Sequence, residues 1–401
     1  MVERRTPIQV SDAVERVMKF SLEKLTERVK LDQSIGRFLA EDLIATHDVP
    51  SFDRSPYDGY AIRSTDTSQA SNEAPVSFDV VGHIGAGFVF DDVVQSQQAV
   101  RIMTGAPIPK GCDAVIMLEL VSERPNNKIE IKRKVKKHEN ISFQGEDTKK
   151  GTILVEKGTQ INPGIVALLA TFGYSEVTVA KKVQVGVMAT GSELLDVDEE
   201  LVPGKIRNSN THMVMAQIKR AGGEAIYFGK LADQFDMCYE AIAQALDKVD
   251  VLITTGGVSV GDFDYIPDIL KKLEANILFN KIAMRPGSVT TVATLPQGKI
   301  IYGLSGNPSA CYVGFELFVR PILRKAFFSA KPHLRRVKAT LRVDFPKPNP
   351  FMRLVRSQLV FDEDSLYVEP SGIDKSGIVS SFLERMLSCS YQVERGDMNV
   401  E

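Results

Sequence analysis

Residues 249–267 read Val-Asp-Val-Leu-Ile-Thr-Thr-Gly-Gly-Val-Ser-Val-Gly-Asp-Phe-Asp-Tyr-Ile-Pro and hold the groups that phosphate chemistry uses. Gly256, Gly257 and Gly261 permit positive φ and carry no Cβ to hold an anion off the backbone N–H groups. Ser259 lies inside this loop, and Asp262 and Asp264 close it. An anion cradle beside carboxylates is reconciled by a divalent metal. A strand-to-helix turn with an aspartate cap accounts for the same residues equally well.

Two further groups could hold an oxyanion. Lys281 and Arg285 stand four apart, and strand periodicity would turn positions 281, 283 and 285 to one side. Ser305, Gly306 and Asn307 precede a helix whose first N–H groups suit a tetrahedral anion. Ser209 fits a plain helix cap. His47 to Arg63 packs acids, prolines and aromatics into an irregular, stiff stretch; it reads either as the lining of a site or as a rigid linker.

Composition bounds the rest. The chain has 401 residues, 43% of them hydrophobic, which is enough for several cores. A net charge of −2 leaves no general basic field to recruit nucleic acid or an anionic membrane, so an anionic ligand needs a local site. The apolar runs are strand-sized, and the N-terminus lacks a signal-peptide core. Cys112, Cys238, Cys311 and Cys389 stand singly, which points away from zinc or disulfides and toward the cytoplasm. With five histidines, chemistry falls to carboxylates, Lys, Arg, Ser and backbone amides.

These residues need elements to position them. An amphipathic helix is expected over 11–29, N-capped by Ser11, with Val14, Val17, Met18 and Leu25 on one face. Residues 76–135 read as β-rich, and the basic run Lys132–Lys137 as a solvated edge. Asn162 and Pro163 start a helix over 164–172 that Gly173 stops. Residues 183–328 alternate strand and helix as a doubly wound sheet does. The strands fall at 183–189, 224–228, 249–254, 276–283, 289–294 and 299–303. The helices fall at 209–221, 235–247, 264–273 and 308–327, the last kinked at Pro321. Three of the strands end in Gly-containing loops at 190–193, 255–257 and 304–308, the edge where open α/β sheets bind ligands. After Pro332, strands near 337–345, 352–361 and 365–369 make a small β domain.

Seven motifs, in order, resemble one family. They are Phe52-Asp-Arg-Ser-Pro-Tyr-Asp58-Gly-Tyr-Ala, Arg101-Ile-Met-Thr104-Gly-Ala-Pro, Gly145-Glu-Asp147, Ala189-Thr-Gly-Ser-Glu193, Thr255-Gly-Gly-Val-Ser-Val-Gly-Asp-Phe-Asp264, Met284-Arg-Pro-Gly and Gly303-Leu-Ser-Gly-Asn-Pro. Together they are similar to the molybdopterin molybdenumtransferases, the family of bacterial MoeA and the gephyrin E domain. The resemblance implies a multidomain α/β fold: a doubly wound MogA-like domain, a β-rich inserted lobe, a linking domain and a small C-terminal β-barrel-like domain. Its boundaries would be 1–25 plus 181–330 for the molybdopterin-binding domain, 26–50 plus 145–180 for the linking domain, 51–144 for the lobe and 331–401 for the last domain. It further implies a homodimer, with the site in a cleft that the partner's lobe completes.

The implied activity inserts molybdate into adenylylated molybdopterin, with release of AMP and Mg2+ as cofactor. An adenylyltransferase would be the partner that supplies the substrate. Asp58, Thr104, Asp147, Glu193 and Asp264 would be catalytic, and Asp58 and Glu193 would face the metal. Asn208, Ser209, Asn210, Asp233, Gly256, Gly257, Ser259, Lys281, Arg285, Ser288, Ser305, Gly306, Asn307 and Ser309 would bind substrate, with Arg353, Arg356 and Ser380 from the last domain. Where this chain has Ser288 many relatives have Lys, and where relatives place a Ser this chain has Ala310, with Ser309 before it. The family's last strand and Pro-Gly-Gly turn are not recognisable in 386–401, so a shortened final domain is expected. The alternatives are a nucleotide pyrophosphatase on the same α/β core and a non-catalytic scaffold.

Overall fold

The computed structural model describes residues 6–231, 234–257, 265–343, 349–362, 365–371, 377, 387–393 and 398–400. It divides into two compact units: Met1–Glu41 with Lys157–Val166 and Ser175–Glu401, and Asp42–Glu156 with Ala167–Tyr174.

The larger unit is built on a six-stranded sheet in the order Glu224–Leu231, Gln184–Thr190, Val251–Thr255, Ile300–Leu304, Thr291–Thr294, Asn276–Phe279. The first four strands are parallel, and Thr291–Thr294 runs antiparallel to both its neighbours. Val251–Thr255 is buried along its whole length, as a central parallel strand covered on both faces must be. Its alternate side chains feed different cores. Val251 and Ile253 join Val185, Val187, Tyr302 and Phe318, whereas Leu252 joins Met188, Ile242, Ile269 and Ile301.

Local chemistry sets the helices. Ser209–Ala221 begins where the Asn208 side chain accepts the Thr211 N–H, and ends at Gly222 with φ +102. Pro308–Gly314, the π turn Phe315–Val319 and Arg320–Ala326 form one continuous rod. Its irregularity lies a turn before Pro321 rather than at it. Proline has no N–H to give the preceding turn and its ring crowds that turn's carbonyl, so the ladder widens there.

Several sequence expectations are corrected. The first helix is Val10–Lys19, with Ser11 inside it and Gln9 at its start. It buries Val10, Ala13 and Val17, each fully buried valine being worth roughly 1.5–3 kcal/mol. Beyond Phe20 the chain is extended, Leu25 is exposed, and Thr26–Lys30 is a strand antiparallel to Glu176–Ala180. The expected 276–283 strand stops at Phe279; Met284–Arg285 instead pairs in parallel with Met352–Arg353. Lys281 and Arg285 therefore do not share one strand face. The stretch after Met386 forms strands Leu387–Val393 and Met398–Val400, the first antiparallel to Met352–Asp362. Thr26–Lys30 and Glu176–Ala180 lie in the larger unit, whereas the antiparallel pair Leu43–Ile44 and Ile153–Val155 lies in the smaller.

The smaller unit holds a six-stranded sheet ordered Ala114–Met117, Gly59–Ile62, Gln98–Ile102, Val76–Ile84, Lys128–Ile131, Val121–Arg124. Gly59 is required there by space. A Cβ on it would lie 2.1 Å from the Ile116 carbonyl oxygen. The Val121–Arg124 and Lys128–Ile131 hairpin turns through Asn126 and Asn127, both at positive φ, a conformation asparagine tolerates.

Candidate functional site

The carboxyl ends of three adjacent parallel strands meet at a cleft of about 940 Å³. Its walls include Thr190–Leu194, Ile206–Asn210, Thr255–Gly257, Val289 and Ser305–Pro308. The loops brace one another. Gly256 N–H donates to Leu304 O at 2.8 Å, the Thr190 hydroxyl donates to Thr255 O at 3.3 Å, and Asn210 Nδ2 donates to Gly306 O at 2.7 Å. Gly256 and Gly257 have φ of +91 and +65, and a Cβ on either would come within 2.8 Å of Thr190 atoms. Both glycines are thus needed for conformation and for room, and the backbone they expose can approach an anion. Gly306 abuts Gly256, since a Cβ on it would lie 3.6 Å from the Gly256 Cα.

Glu193 also lines the cleft. Its carboxylate folds over Gly191, whose missing Cβ leaves the space: a Cβ there would sit 2.3 Å from Glu193 Oε2. Leu194–Leu195 pairs in parallel with Ile206–Arg207, and Ile206 N–H donates to Glu193 O at 2.9 Å. Lys205 Nζ donates to the Ser192 carbonyl. Asn208 caps the following helix, which brings Ser209 and Asn210 to the cleft. Asn210 Oδ1 is buried without a partner among the described residues, an acceptor that a bound N–H could use.

Within the smaller unit, Asp58 and Thr104 stand at the ends of neighbouring antiparallel strands, just beyond the Gly59↔Ile102 pair. Thr104 donates to Asp58 Oδ1 through its backbone N–H and its hydroxyl, each at 2.7 Å. These two bonds, with Arg101 contributing less, hold the exposed carboxyl below its ordinary value. Asp58 is thus an anion at neutral pH, suited to bind a cation. Asp147 is exposed on the turn after Gly145, its N–H bonded to Val49 O at 3.1 Å.

Of the expected site residues, Glu193, Asn208, Ser209, Asn210, Gly256, Gly257, Ser305, Gly306 and Asn307 line one cleft. Lys281, Arg285 and Ser288 are not among its described walls; Ser288 O accepts the Ile282 N–H at 2.8 Å. Ser309 is buried, and its hydroxyl has no partner among the described residues. Arg353 and Arg356 are buried on the Met352–Asp362 strand. Asp233, Ser259, Asp262, Asp264 and Ser380 lie outside the described residues. Sequence reasoning passed over Thr190, which lines the cleft inside a loop it had singled out, and Arg207, which lines it next to Asn208. Their positions beside Gly191 and the Asn208 cap were the available signal. Burial pushes the Cys112 and Cys311 thiols up to about 12, so neither is a nucleophile.

Three family models match the chain: MoeA N-terminal region (domain I and II) over residues 8–173, probable molybdopterin binding domain over 186–325, and MoeA C-terminal region (domain IV) over 338–384. A molybdopterin molybdenumtransferase of Bacillus subtilis is 54% identical over 96% of this chain and 90% of its own. One from Staphylococcus epidermidis is 50% identical over 94% of this chain and 90% of its own. The crystal structure of a molybdopterin biosynthesis MoeA protein from Pyrococcus horikoshii superposes with a TM-score of 0.82 at 30% identity, covering 98% of this chain and 97% of that one. At that identity and coverage, the chain belongs to the molybdopterin molybdenumtransferase (MoeA) family.

Proposed function

We propose that this protein is a molybdopterin molybdenumtransferase that inserts molybdate into adenylylated molybdopterin and releases AMP. The observation that carries this reading is the cleft lined together by Gly256, Gly257, Gly306 and the Glu193 carboxylate. A pyrophosphate link needs amide donors for its oxygens and an acceptor near the attacking water. Water adds to one phosphorus, AMP leaves, and the pterin keeps its phosphate. Molybdate forms two Mo–S bonds to the pterin dithiol, and one molybdate oxygen departs as water with the two thiol protons.

Mg2+ fits this donor set as a substrate-borne ion. Among the described residues no three His, Cys, Asp or Glu side chains converge as a protein-only cage. Mg2+ is commonly held by one or two carboxylates plus substrate phosphates and water. Glu193 and the ionised Asp58 would hold it, and it would neutralise phosphate charge.

A homodimer is part of the proposal, with Asp58 and Thr104 of one copy serving the cleft of its partner. An adenylyltransferase would hand over the substrate. The pterin thiols need a reducing compartment, which favours the cytoplasm; among the described residues no helix is long and apolar enough to cross a membrane. Feeding ADP-ribose in place of adenylylated molybdopterin tests the reading. The transferase releases AMP only from the pterin nucleotide; equal cleavage of ADP-ribose without molybdate would mark a pyrophosphatase instead.

A further inference from the structure

The wall that carries Glu193 is tied to the neighbouring sheet strand by Lys230, in addition to its own Lys205 and Arg207 contacts. Strand Glu224–Leu231 pairs with Gln184–Thr190, but the register slips between Val187↔Tyr227 and Ala189↔Lys230. The extra residue is a β-bulge, and Gly229 occupies it at φ +86. Nothing lies within 4 Å of a Cβ built on Gly229, so glycine is there for its conformation and not for room. Side chains alternate faces along a strand, so one added residue moves Lys230 onto the face that Tyr227 occupies. Tyr227 meets the cleft wall there, accepting from Asn208 Nδ2 at 3.3 Å.

On that face Lys230 Nζ lies 3.1 Å from Asp196 Oδ2, 3.1 Å from Glu199 Oε2 and 3.4 Å from Leu194 O. Its three donors have three acceptors. Glu199 also accepts from the Asp196 N–H, and its carbonyl accepts from Arg207 at 3.1 Å. All of these contacts fall on the segment that begins beside Glu193 and returns at Arg207. The Gly256 and Gly306 loops are held by other bonds. An isolated exposed ion pair is weak, but two carboxylates converging on one ammonium share the cost of ordering it.

Resting on the reading of Glu193 given above, we propose that Lys230, aimed by the Gly229 bulge, is a positioning residue that fixes Glu193 over the cleft. Substrate affinity resides in the glycine loops, and Lys230 sets the placement of the carboxylate that acts on the substrate.

Hydrogen exchange and steady-state kinetics on full-length Lys230→Met and Lys230→Arg test this. The Ile206 and Asn208 amides donate to the Glu193 and Leu195 carbonyls at 2.9 Å and report on the braced wall. In Lys230→Met they exchange roughly tenfold faster, about the worth of two surface ion pairs, while Val185–Met188 keep the wild-type rate. The kcat for AMP release falls by a similar factor with KM within about twofold, and Lys230→Arg restores both quantities. Unchanged exchange at Ile206 and Asn208 overturns the proposal. A uniform rise across the whole sheet also overturns it, because Lys230 would then be a general stabiliser. Faster local exchange with wild-type kcat overturns it too. Absence of AMP release by the wild-type protein would defeat the functional reading, and exchange at Ile206 would still decide whether Lys230 braces this wall.

Discussion

Thr104 donates twice to one oxygen of Asp58, its backbone N–H and its hydroxyl each reaching Oδ1 at 2.7 Å. Both bonds favour the ionised carboxyl, and the backbone bond has the larger effect. Thr104→Val keeps that bond and loses the other, so the Asp58 pKa rises toward its ordinary 3.8. A carboxyl whose folded pKa is depressed adds stability above its unfolded value, and that stability is lost as pH falls through the folded value. The variant should therefore lose this contribution at a higher pH than wild type, in the region below about pH 4. Carboxyl NMR titration checks the shift, and an unchanged Asp58 titration would refute it. Asp58→Asn should fold normally and lose about 10²–10⁴-fold in AMP release.

Gly59→Ala should damage the smaller unit. The new Cβ would meet the Ile116 carbonyl at 2.1 Å, and backbone cannot swing aside as a flexible side chain could. A loss of at least about 2 kcal/mol in denaturant unfolding is expected. Wild-type stability would mean that the sheet relaxes freely there.

Gly256→Ala should weaken AMP binding rather than stability alone. At φ +91 alanine is strained, and its Cβ would lie 2.8 Å from Thr190 O. Relief requires the loop to move away from the anion. Calorimetry should show AMP affinity reduced about tenfold or more, the scale of one lost charge-assisted hydrogen bond. Unchanged affinity would place the phosphate elsewhere.

Ser309→Ala separates packing from ligation. The Ser309 hydroxyl is buried and without a partner among the described residues, so deleting it should be neutral or stabilising by up to about 1 kcal/mol. Molybdate-dependent turnover should stay within about twofold of wild type. A large loss would show that this hydroxyl reaches a bound ligand.

What could be read from the sequence was what local pattern decides. Val251-Leu252-Ile253 announced a central strand, and the 209–221 helix forms where expected, although Asn208 rather than Ser209 caps it and Gly222 ends it. The glycines at 256 and 257 marked the cleft, and a Cβ at either would crowd Thr190. Long-range pairing was hidden. Thr26–Lys30 looked like the end of an amphipathic helix, and only Glu176–Ala180 makes it a strand. Lys281 and Arg285 looked like one strand face. Between them Ala283 gives its N–H to Ile8 O, and Arg285 aligns with Arg353, partners far off in sequence. Lys230 was missed because the strand was expected to end at 228, whereas it runs to Leu231 with a bulge at Gly229.

The most direct test of the account is a single-turnover reaction of the wild-type protein with adenylylated molybdopterin and Mg2+, with and without molybdate. AMP release should depend on molybdate and match, mole for mole, the molybdenum retained by the pterin. AMP release that is equally fast without molybdate, or that leaves no molybdenum on the pterin, would contradict it.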